Sequence, residues 1–288
     1  MLAVKSANVI TRKRRQKIIR GTKRFLFALL LIIIMAPSVL FFYWMFTVSL
    51  REELINAAYP PVLFPLKLIL DNYVAVFIKS PFFQYMMNSI IVAGGSTVIG
   101  LIVGLPAAYS IAKYRQDKLA SVVLLSRMIP GLSLLVPWFI FFRMLNLTDT
   151  YLAIILAHLI VTLPLTIWVM ISFFESIPPE LEDAALIDGC SLYGIFYRIA
   201  LPLVKPGIVV VSILSFIFSW NIFIFAVILS GPRTRILPVA VYNIMNYEEI
   251  IWGQLAAAAV VVTLPVLILT CLIGKHLVTG LSLGAVKG

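Results

Sequence analysis

The chain has 288 residues, 62% of them hydrophobic and only 12% charged, with a net charge of +11. That balance lies far from a soluble average and excludes a water-soluble globular enzyme. Its apolar runs are near the ~20 residues that cross a bilayer and do not alternate polar with apolar positions, which excludes a transmembrane β-barrel.

The first 24 residues carry nine basic side chains (Lys5, Arg12, Lys13, Arg14, Arg15, Lys17, Arg20, Lys23 and Arg24) and no acid. Beside an apolar run at 25–50, this segment is expected on the cytoplasmic side, anchored at anionic lipid rather than on nucleic acid. The run is too long for the core of a signal peptide and lacks a small-x-small cleavage site. Further uncharged runs cover 80–112, 150–174, 206–232 and 250–274, and one at 119–142 is interrupted by Arg127. In lipid each run must bond its own backbone, so the predicted fold is an all-α membrane protein with six transmembrane helices. Residues 51–80 then form an outer loop. The 113–118 turn, the loop between helices 4 and 5, and a 277–288 tail face the cytoplasm.

The second predicted helix carries Ser96, Gly100, Gly104 and Ala108 at four-residue spacing. Such a face lets another helix backbone approach closely, within the chain or in a partner. Pro37, Pro106, Pro130, Pro137, Pro164 and Pro265 fall in the spans, and Pro130-Gly131 is the strongest expected break. A mid-bilayer Arg costs about 2.5–3.5 kcal/mol on insertion scales, so Arg127 faces either a polar cavity or the inner boundary, and Arg143 is expected to snorkel at the outer edge. His158 is expected to hydrogen-bond between helices. Trp220 and Asn221 either meet a hydroxylated solute, by stacking and hydrogen bonding, or pack against a neighbouring helix.

Residues 178–189 hold four of the chain's 12 acids: Glu180, Glu182, Asp183 and Asp188. Pro179 suits a first helical turn, the acids complement the positive end of the helix dipole, and Gly189 suits a left-handed close. Ser191 is a plausible N-cap for a second turn, whose Leu192, Ile195, Phe196 and Ile199 share one face. Leu201-Pro202 is expected to stop it.

Residues that carry reaction chemistry are scarce. No predicted span contains Asp or Glu, and no repeated halves are visible, which argues against an ion-gradient transporter. Gly274-Lys275 lacks the first Gly of a phosphate-binding loop and has His276 where Ser or Thr is needed. His158 and His276 lack metal-ligand spacing, Cys190 and Cys271 suggest no disulfide, and Asn146-Leu147-Thr148 matches a glycosylation sequon by chance.

Asp183-Ala184-Ala185, then Leu186-Ile187 before Asp188-Gly189, with the close Ile199-Ala200-Leu201-Pro202, resembles the "EAA" loop of ABC-importer permeases, the binding-protein-dependent (MetI-like) superfamily. Asp183 stands where that family more often has Glu. Arg127-Met128-Ile129-Pro130-Gly131 and the ending at 280–288 are similar to the carbohydrate-importer subgroup. Ser219-Trp220-Asn221 matches a further signature, with Ile222 where a Glu is usual. The resemblance implies a permease core at 81–276 with a coupling loop at 175–205. That loop would dock an ATPase through Glu182, Asp183, Ala184, Ala185, Asp188 and Gly189. It also implies a translocation path, for which Arg127, Trp220 and Asn221 are candidates. The implied partners are a second permease subunit, two ABC ATPase subunits that hold ATP and Mg, and an extracytoplasmic solute-binding protein. The implied substrate is a carbohydrate: an oligosaccharide, polyol, sugar phosphate or acidic oligosaccharide. The implied location is a bacterial inner membrane. No cofactor, metal or catalytic residue is implied for the chain itself.

Overall fold

The computed structural model describes residues 2–64, 67–245 and 250–284, with side chains described from residue 20 to residue 272 within those ranges. All regular structure among them is helical. In chain order come α1 (Leu2–Ser49), α2 (Glu53–Asn56), α3 (Asp71–Lys79), α4 (Phe82–Lys113) and α5 (Asp117–Ser126). A 3-10 turn at Gly131–Leu134 leads into α6 (Leu135–Met144), and α7 spans Tyr151–Glu175. Then follow α8 (Pro179–Ile187), α9 (Leu192–Ile195), a π turn at Phe196–Ala200 and α10 (Leu201–Leu203). The last four are α11 (Lys205–Asn221), α12 (Ala226–Leu229), α13 (Leu237–Ile244) and α14 (Trp252–Gly284).

Four helical segments are long and apolar enough to cross a bilayer: Arg20–Ser49, Phe82–Lys113, Tyr151–Glu175 and Trp252–Leu272. Two bent pairs bring the total to six if each is one span. The first is α5 with the segment Gly131–Met144, bent by 81° at Pro130, where a missing N–H interrupts the ladder. The second is Leu192–Leu203 with α11, bent by 77°. Pro37, Pro106, Pro164 and Pro265 sit inside helices that run on through them.

Several expected boundaries move. The basic segment and the first apolar run form one helix, α1, and the expected tail at 277–288 is helical as far as Gly284. The ending at 280–288 lies outside the described side chains. The span expected at 206–232 ends at Asn221, where Ile222 turns extended, and the chain continues through the short α12. Leu201-Pro202 does not stop its helix; Pro202 sits in the first turn of α10, where it needs no N–H, and the bend falls at Val204.

The core is built on α4, α7 and α11. Gly100, Gly104, Ala108 and Ser96 are all buried. A Cβ on Gly104 would lie 2.8 Å from the Thr166 side chain, and one on Gly100 3.6 Å from Leu159, so the small-residue face receives α7 of the same chain. Ser96 donates to Ser219 Oγ of α11 at 2.8 Å, and His158 Nδ1 of α7 meets the same oxygen at 2.8 Å. Helix association in lipid relies on such close approach and polar ties. α1 stands at the periphery, exposed along its apolar stretch and buried only at its end, at Thr47, Val48 and Ser49. Glu53 links α2 to α14, accepting from the Trp252 and Gly253 amides at 2.8 and 2.9 Å, where a carboxylate meets the positive end of a helix.

Candidate docking site on the α8 loop

The α8 helix begins at Pro179 with Glu180 and Glu182 in its first turn. It ends on a pair of hydrogen bonds, Cys190 N to Ala185 O at 2.9 Å and Gly189 N to Leu186 O at 3.1 Å. Gly189 has φ 81°, so the pair is a Schellman close, which requires a left-handed residue at that point. Ser191 Oγ then accepts from Gly194 N at 3.2 Å and starts α9.

Beyond α9 the face differs from an ideal α-helical stripe. Ile195, Phe196 and Ala200 are buried, while Leu192 is exposed and Ile199 half-buried. The π turn at Phe196–Ala200 adds a residue to its turn and rotates the face, which 3-and-4 spacing does not anticipate.

The acids of α8 point two ways. Glu182 turns inward: its carboxylate accepts from Lys113 Nζ at 2.6 Å and from Tyr109 OH at 2.9 Å, and Lys113 also donates to Tyr109 OH at 3.2 Å. The Lys113 and Glu182 side chains are 18% and 14% exposed. The Tyr109 ring contacts Phe174 of α7 and Phe196 of the π turn, with centroids 5.3 and 5.2 Å apart. Glu182 is therefore a strut that ties α8 to the end of α4. Ala185 is buried as well. Asp183, Ala184, Asp188 and Gly189 remain exposed, beside Leu181, Leu186 and Ile187, the last 87% exposed. Tyr193 continues this apolar strip. A cavity of about 400 Å³ opens beside the strut, with Arg115, Asp117 and Glu175 in its wall.

The three path candidates separate. Trp220 is 1% exposed, stacks on Phe216 and donates its indole N–H to Val262 O of α14 at 3.1 Å. It is a packing residue and offers no surface to a solute. Asn221 is exposed at the end of α11, and its amide donates to Ile217 O one turn back rather than to another helix. Arg127 is exposed at the C-terminal cap of α5, at the bend.

A second polar cluster, at the other end of α4 and α7, was not visible in the sequence. Asp149 accepts from Gly231 N, Thr234 N and Thr234 Oγ1 at 3.0, 3.1 and 2.7 Å, and Arg233 Nε lies 3.5 Å from its other oxygen. Its φ of 57° suits a residue that tolerates the left-handed region. Burial pushes its pKa up, but the hydrogen bonds from Thr234, Gly231 and Arg233 outweigh this and hold it below the ordinary 3.8. A lowered folded pKa stabilises the fold above the ordinary carboxylate value, and that contribution is lost as pH falls through the lowered one. Asp149→Asn should cost about 1 kcal/mol at neutral pH, the gap between charged and neutral hydrogen bonds, and should flatten the acid limb of stability. Thermal melting of the detergent-purified protein against pH checks both, and an unchanged acid limb would refute the clamp.

The sulfoquinovosyl glycerol transport system permease protein SmoH of Agrobacterium fabrum is 36% identical over 250 residues, covering 85% of this chain and 87% of that protein. The trehalose transport system permease protein SugB of Mycobacterium tuberculosis is 35% identical, covering 85% and 91%. The trehalose/maltose transport system permease protein MalG of Thermococcus litoralis is also 35% identical, covering 89% and 94%. In fold, the chain matches a crystal structure of a bacterial ABC transporter involved in import of the acidic polysaccharide alginate, with TM-score 0.73 at 22% identity over 87% of this chain and 95% of that one. Residues 96–282, which include both the small-residue face and the α8 loop, match the family of binding-protein-dependent transport system inner membrane components, and the chain belongs to that family.

Proposed function

We propose that this chain is a transmembrane permease subunit of an ATP-driven carbohydrate importer, supplying half of the translocation path. The observation that carries the reading is α8: a short helix tied at Glu182, closed at Gly189, and presenting Asp183, Ala184, Asp188 and an apolar strip outward. Rigid helix, small side chain and acids together suit insertion into a groove of a basic partner. Membership of the family and the sugar-permease relatives support the same reading. The partners are two ATPase subunits that hold ATP and Mg, a second permease subunit, and an extracytoplasmic solute-binding protein. In this reading six spans cross a bacterial inner membrane with both termini and α8 inside. The core runs over 81–276 with the coupling loop at 175–205, and 51–80 is the outer loop. Arg127 and Asn221 are the exposed polar groups for the path.

Two measurements test this. Epitope-tagged chain should co-purify with a P-loop ATPase on which uptake depends, and the isolated chain should hydrolyse no ATP; saturable hydrolysis by the chain alone would refute the division of labour. For topology, single cysteines are placed in a Cys190→Ser, Cys271→Ser background. Lys118→Cys and Glu180→Cys should resist an impermeant thiol reagent in intact cells, whereas Lys67→Cys should label. Labelling at Glu180→Cys would reverse the orientation and remove the docking role with it.

A further inference from the structure

At the end of the bundle away from α8, a cavity of about 290 Å³ lies between α3, the start of α4, α13 and the start of α14. Its polar wall is Lys79, Arg235, Asn243 and Gln254, over an apolar floor that includes Val76 and Ala240. Among the described residues no carboxylate lines it. Arg235 is half-buried, and among the described residues its guanidinium meets only the face of Tyr85, 5.8 Å from the ring centroid. The neighbouring Arg233, 80% exposed, takes Asp149 instead.

The backbone that carries Arg235 is fixed on both sides. Asn88 donates to the Arg233 and Arg235 carbonyls at 3.0 and 2.8 Å, and Ser89 Oγ accepts from Leu237 N at 2.8 Å. Tyr151 OH holds Asn88 in place from α7 at 2.7 Å. A cation positioned this firmly, beside a second cation and two amides, with no acid partner for it and no bond to the amides among the described residues, is a prepared anion site. The apolar floor suits the CH face of a ring, and the volume lies near the lower limit for a small-molecule pocket, with room for one ring rather than a chain.

The geometry points to recognition of a carboxylated or otherwise anionic sugar unit in this cavity, the charge at Arg235 and Lys79 and the hydroxyls at Asn243 and Gln254. This rests on the carbohydrate-importer reading and narrows its substrate class to acidic sugars. The test uses the full chain in detergent with glucuronate, glucose and short-chain phosphatidylglycerol, read by saturation-transfer NMR. Glucuronate should bind about tenfold more tightly than glucose, and Arg235→Gln should weaken it by about tenfold, the factor expected for one charge-assisted hydrogen bond. Lys79→Gln, at an exposed position, should weaken it as well and keeps the test open should Arg235→Gln melt. Equal binding of glucose and glucuronate, unchanged binding in the variants, or phosphatidylglycerol displacing glucuronate at lower concentration would each overturn the assignment, the last in favour of a lipid headgroup. Binding is read on the chain alone, so its failure is separate from a failure to co-purify with an ATPase.

Discussion

Gly189→Val should give a subunit that reaches the membrane in normal amounts and transports at least about tenfold less than the wild type. The reason lies in the backbone. Gly189 has φ 81°, and a Cβ there would meet nothing within 4 Å, so the added side chain has room but its backbone conformation does not suit it. Left-handed backbone costs an L-residue about 1–2 kcal/mol, and more with a β-branched side chain. The cheapest relief is to open the Schellman close, releasing the bonds from Cys190 and Gly189 to Ala185 and Leu186. α8 would then tilt, and Asp183, Ala184 and Asp188 would leave the position a rigid partner groove requires. Gly189→Asn is the control: Asn tolerates the left-handed region, so uptake should stay near normal. Membrane abundance, ATPase co-purification and uptake are measured together. Normal uptake in Gly189→Val would falsify the docking assignment, and loss of the protein from the membrane would assign the loop to folding.

What the sequence revealed about this loop was local. Pro179, Gly189 and Ser191 act within four residues of themselves, through capping bonds whose chemistry depends on residue type. The apolar runs gave the helices for a similar reason, since lipid leaves the backbone no other way to bond itself. The bends were only half visible. Pro130 announces itself by its missing N–H, but the bend at Val204 and the π turn before it carry no such marker, and Phe196 of that turn packs on Tyr109 and Phe174 from separate stretches of chain. Trp220 and Asn221 could not be told apart for the same reason: an aromatic-amide pair in a span has one appearance in sequence, while contact with α14 covers Trp220 and leaves Asn221 exposed. Asp149 carried no signal at all, because its partners at 231–234 are donated mostly by backbone. The inward tie of Glu182 was not legible because its partner, Lys113, is 69 residues away.

That pair allows the sharpest test of how α8 is held. Among the described residues, Lys113→Met leaves the partly buried Glu182 carboxylate with Tyr109 as its one donor, and Glu182→Gln removes the ion-pair partner of the ammonium. Each should lower stability by about 1.5–3 kcal/mol, the range for a hydrogen bond to a charged group. Each should also loosen α8, read as faster proteolysis within 175–190 and a severalfold drop in uptake. The double variant should be no worse than either single, because both changes remove the same contact, and residues in contact show such non-additivity. Additive losses would mean two independent roles, with Glu182 reaching past Lys113 to the ATPase partner. The location of the ties makes non-additivity the expected result. Lys113 is the last residue of α4, a helix that packs along α7 through Gly100 and Gly104. A push on α8 reaches α4 through Glu182 and Lys113, and α7 through Tyr109 and Phe174. A loosened strut would leave the ATPase bound to a helix that no longer moves the spans, so co-purification should persist in Lys113→Met while uptake falls.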